Sequence, residues 1–74
     1  MSDWVLIESS IQIAWDYLER SGELGDAPTA GRFLADIITA MVKRGERRKL
    51  MLSNKAIEAY RSHRNERLIV LFPV

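Results

Sequence analysis

The chain has 74 residues, 47% of them hydrophobic, and 11 Lys or Arg against 10 Asp or Glu leave a formal charge of +1. A chain this short forms one domain, residues 1–74, that buries only roughly 60–65% of its unfolded surface; without cysteine it has no disulfide or thiolate metal site to supplement a small core. No apolar run approaches the roughly 20 residues that span a bilayer, and Met1-Ser2-Asp3 lacks the basic start of a signal peptide, so a cytoplasmic protein without a membrane partner is expected.

The first predicted helix runs from about Asp3 to Ser21, with Ser2 or Asp3 as its cap. Trp4, Ile7, Ile11, Ala14 and Leu18 recur at spacings of three and four and form a core stripe, widened by Trp15. A narrower stripe of Leu6, Ile13 and Tyr17 lies about 120° away, so this helix should touch two neighbours. A later start is the competing reading, because Trp4-Val5-Leu6-Ile7 is a short apolar run and Ser9 with Gln12 makes a capping box.

Gly22 and Gly25 end the first helix, and Asp26-Ala27-Pro28-Thr29 opens the second, with a capping side chain and a first-turn proline. This helix continues to about Arg44. Ala30, Phe33, Leu34, Ile37, Ile38, Met41 and Val42 cover a broad arc and leave Arg32, Asp36, Thr39 and Lys43 on a narrow polar strip, the pattern of a largely buried helix stopped by Gly45.

A third helical pattern uses Leu50, Met51, Leu52, Ala56, Ile57, Ala59 and Tyr60 and reaches about His63. Ser53-Asn54 interrupts it, since both side chains compete for backbone hydrogen bonds; the helix either begins near Glu46 and bends or begins afresh at Ser53. After Arg67, the run Leu68-Ile69-Val70-Leu71-Phe72-Pro73-Val74 is β-branched, aromatic and closed by proline, and reads as an extended tail. The expected fold is all-α, a small three-helix bundle with an extended apolar C-terminal segment.

Charge is divided unevenly along this fold. Residues 1–40 carry a net −5 and residues 41–74 a net +6. Lys43, Arg44, Arg47, Arg48 and Lys49 are five cations within seven residues, and the set Arg44, Arg47, Arg48 and Lys49 is the candidate for contacting nucleic-acid phosphates. The structural reading is preferred: Lys43 and Arg44 complement the negative end of the second helix, the rest solvate a loop, and Glu46 weakens the patch. A lone accessible aromatic, Tyr60, is too little for a base-stacking platform.

No catalytic constellation emerges. His63 is the only histidine and reads as solvated or helix-terminal, Gly22, Gly25 and Gly31 lack the Gly-Lys-Ser/Thr of a phosphate loop, and Glu19, Glu23 and Asp26 lack a buried setting or a calcium-loop pattern. The expectation is a non-enzymatic protein-interaction or regulatory module without cofactor or metal. It should self-associate as a homodimer through Leu6, Ile13 and Tyr17 and through Leu68, Ile69, Val70, Leu71 and Phe72, hiding more apolar surface than one small core encloses. Contact with another protein, and then a nucleic-acid-binding role through the basic run, rank below it.

Overall fold

The computed structural model describes the backbone of residues 2–71 and the side chains of residues 2–64. Three helices, α1 (Asp3–Arg20), α2 (Ala27–Lys43) and α3 (Lys49–Leu71), follow one another up, down and up, and each packs on the other two.

The ends of α1 and α2 are written in local chemistry. Ser2 Oγ accepts from the Val5 amide at 3.3 Å, so the early start of α1 holds and Trp4–Ile7 is helical. Asp26 caps α2 by accepting from the Thr29 amide at 3.1 Å, with Pro28 in the first turn, where its missing N–H costs nothing. Both helices stop in the same way: Gly22 and Gly45 take left-handed backbones at φ 74° and 106°, and the following amides of Glu23 and Glu46 donate back to Leu18 O at 2.8 Å and Met41 O at 3.1 Å.

Ser53 does not break α3. Its hydroxyl donates to the carbonyls of Lys49 and Leu50, both at 3.1 Å, so the buried side chain is satisfied without displacing a backbone bond, and α3 is continuous from Lys49. At the other end, the extended reading of the apolar tail gives way to helix through Leu71; Phe72, Pro73 and Val74 lie outside the described residues. Nothing between Arg61 and Leu71 breaks a helix that is already nucleated, and propagation is far cheaper than nucleation.

Two contacts set the register of α1 against α3. Arg47, two residues before α3, reaches Asp3, and Arg61 reaches Tyr17; both pairs are 44 positions apart, so α1 and α3 run parallel. Leu6 and Ile13 then lie level with Leu50 and Ile57. The core is a column of Leu18, Leu34, Ile38 and Leu52, all inaccessible to solvent, beside the equally buried Ala14, Ala30 and Ala56. A small polar residue joins this core without cost: Ser10 is buried and donates to Leu6 O at 2.8 Å.

The first-helix stripe is rotated from its sequence assignment. Leu6, Ser10, Ala14 and Leu18 form the buried line, Ile7, Ile11 and Trp15 flank it, and Trp4 is 70% exposed. Trp4 sits in the first turn of α1, at the end of the bundle.

Candidate interaction surfaces

At the end of the bundle where α1 starts and α2 hands over to α3, the basic run is partly tied down. Arg47 pairs with Asp3 at 2.8 Å, binding the link to the start of α1, and Arg48 pairs with Glu46 at 3.0 Å. The Arg48 bond holds the Glu46 carboxyl below its usual range. Lys43, Arg44 and Lys49 make no ion pair among the described residues. The candidate phosphate contacts therefore divide, with Arg44 and Lys49 unpaired and Arg47 and Arg48 engaged by carboxylates. Beside them stand exposed apolar groups: Trp4 and Val5 in the first turn of α1, and Leu50, 69% exposed, at the start of α3.

The opposite end is closed by a polar clamp. The Arg61 guanidinium donates to both oxygens of Glu23 and to the Tyr17 hydroxyl at 2.9 Å, and its carbon lies 5.2 Å from the Tyr17 ring centre. Arg64 donates to the Glu23 carbonyl, and the buried Tyr60 hydroxyl donates to the Leu24 carbonyl. Three side chains of α3 thus grip the α1–α2 turn. Arg61 and the Ser21 hydroxyl hold the Glu23 carboxyl below its ordinary value, and the pair raises the arginine further still.

These positions revise several expectations. Leu6 is 6% exposed within its own core and is not a contact surface for a partner; Ile13 is half-buried and Tyr17 is 47% exposed but bonded to Arg61. Leu6 joins the core and Tyr17 reaches α3 through Arg61, while Ile13 lines a shallow surface depression beside Tyr17. Tyr60 is no accessible aromatic: it is 3% exposed, with its ring 5.5 Å from that of Phe33. His63 is not helix-terminal, since α3 continues to Leu71, and its ring stacks on Phe33 at 4.9 Å. The contact surface expected of Leu68, Ile69, Val70, Leu71 and Phe72 falls outside the residues whose side chains are described. The Glu23 clamp was the residue set that sequence reasoning missed, because its partners lie 38 positions apart with no periodic signal between them.

Among the described residues no group of three or more His, Cys, Asp or Glu could hold a metal ion, and no helix is long and apolar enough to cross a membrane. No protein-family model, curated protein or solved structure matches the chain.

The clamp gives a pH dependence with a definite sign. Glu23, Asp26 and Glu46 all have carboxyl groups lowered in the folded state, Glu23 first by Arg61, Asp26 by the Thr29 hydroxyl and Glu46 by Arg48. Their stabilisation is complete above the unfolded values of 4.5, 3.8 and 4.5 and is lost as the pH falls through the lower folded values. The urea midpoint should therefore be flat from neutrality to about pH 5 and fall below it. In Glu23→Gln the fall should be shallower; an unchanged acid limb in that variant would mean that the clamp carboxylate does not contribute.

Proposed function

We propose that this protein is a small non-enzymatic interaction module that self-associates through the C-terminal part of α3. The observation behind this reading is the length of α3. In the register fixed by the two contacts 44 positions apart, Arg20 at the end of α1 lies level with Arg64, so helix residues 65–71 run on past the end of α1, by about 10 Å at 1.5 Å per residue. Arg64 also grips the turn that leads into α2. The overhang leads into Leu68-Ile69-Val70-Leu71-Phe72, the longest uninterrupted run of large apolar residues in the chain.

A short helical extension has little intrinsic stability in water, and an apolar one is best stabilised by burial. A second copy carries the same segment, and two-fold pairing of the two overhangs covers both with one self-complementary surface. The absence of cysteine suits the reducing cytoplasm. A nucleic-acid role ranks second, because carboxylates engage Arg47 and Arg48.

Sedimentation equilibrium should show a dimer at micromolar concentration, and removal of residues 68–74 should give a folded monomer with the helix content of α1, α2 and the first part of α3. A full-length chain that remains monomeric at high micromolar concentration rejects self-association. Tight, salt-sensitive binding to duplex DNA, lost when Arg47 and Arg48 are both changed to Ala, would favour the nucleic-acid role.

A further inference from the structure

The basic end of the bundle lies opposite the α3 overhang. It joins two features that a core or a solvated loop does not require together. Trp4 and Leu50 are the most exposed large apolar residues described, at 70% and 69%, and each occupies the first turn of a helix whose start the Asp3–Arg47 bridge fixes at this end. Around them lie Lys43, Arg44 and Lys49, whose charges no carboxylate among the described residues neutralises.

The chemistry of this end narrows the choice of partner. Shallow depressions of about 310 and 560 Å³ are lined by Pro28, Thr29, Arg32, Phe33 and Asp36, and by Ile13, Asp16, Tyr17, Arg20 and Ser21. Both belong to the half of the bundle near the Glu23 clamp. The apolar groups of the basic end stand in the first turns of two parallel helices, exposed at 70% and 69%. A tryptophan and a leucine projecting among lysine and arginine match the interface of an anionic bilayer, where indole rings settle at headgroup depth and basic side chains pair with lipid phosphates and carboxylates.

We propose that the Trp4, Leu50 and Lys43/Arg44/Lys49 end of the bundle docks peripherally on anionic phospholipid surfaces. This goes against the sequence expectation of no membrane partner, which rested on the lack of a spanning segment, a different property from surface binding. It does not depend on self-association, since the overhang is at the other end.

The test is co-sedimentation of the full-length protein with vesicles of pure phosphatidylcholine, or of phosphatidylcholine containing 30% phosphatidylserine, alongside a duplex oligonucleotide and polyglutamate as competitors. Three unpaired cations predict at least about tenfold stronger binding to the anionic vesicles, weakening as salt is raised. Trp4→Ala, at an exposed site, should reduce vesicle binding several-fold while leaving the circular dichroism spectrum and the sedimentation state unchanged. The joint Lys43→Gln, Arg44→Gln, Lys49→Gln variant should remove the preference for anionic lipid. Equal affinity for both vesicle types overturns the proposal. So does anionic binding that Trp4→Ala leaves intact, which would reduce the surface to a charge patch, and so does preferential capture by the oligonucleotide or polyglutamate.

Discussion

Leu34→Ala should remove a large fraction of the folding stability of this protein. Leu34 sits midway along α2 with no solvent exposure, in line with the buried Ala30, Ile38 and Val42. Truncation removes three buried carbons and leaves a cavity that straight, closely packed helices collapse around only in part, at a cost of about 2–5 kcal/mol. A 74-residue domain has roughly 4–11 kcal/mol of stability in total, so the loss is a large fraction of what holds the fold. Urea denaturation followed by circular dichroism should show a much lower midpoint at unchanged slope. Arg32→Ala, on the exposed strip of the same helix, should change stability by only about 0.5 kcal/mol. A Leu34 variant as mild as the Arg32 control would mean that α2 does not contribute its buried line to the core.

The contrast between those two residues is already present in the order of the sequence. Ala30, Leu34, Ile38 and Val42 repeat every four residues, and period alone identifies the inward face of α2 without knowledge of what it faces. The caps at Ser2 and Asp26 and the stops at Gly22 and Gly45 are equally legible, because their chemistry is completed within a few residues. Trp4 shows where such reading fails. It has the correct period for a core stripe, but burial also needs a neighbour at the same height, and helix ends do not advertise that in sequence.

Ser53 and the tail show a different limit: local preference competes there with continuation of an existing helix. Ser53 keeps its place by bonding to carbonyls one turn back, and Leu68–Leu71 follow a helix already formed, although the same residues alone would favour extended backbone. The interaction surfaces were only half visible. The basic run was evident by count, whereas its division into engaged Arg47 and Arg48 and unpaired Arg44 and Lys49 depends on where Asp3 and Glu46 come to rest.

Tyr60 offers a second large effect, and one that separates packing from hydrogen bonding. Its ring is buried against Phe33, while its hydroxyl crosses from α3 to the Leu24 carbonyl in the turn between α1 and α2. Tyr60→Phe keeps the ring and removes the donor, so the Leu24 carbonyl must find water at the edge of the bundle; the expected loss is about 1 kcal/mol. Tyr60→Ala removes the ring as well and should cost about 3–5 kcal/mol, the range for a large aromatic taken from a core. The two variants should also differ in kind. Hydrogen exchange in Tyr60→Phe should accelerate first at the amides of residues 21–26, where Arg61 and Arg64 still hold Glu23, whereas in Tyr60→Ala protection should fall across all three helices together. Equal losses in both variants would place the whole effect in the hydroxyl bond and leave the Phe33–Tyr60 contact without a role in holding α3 to α2.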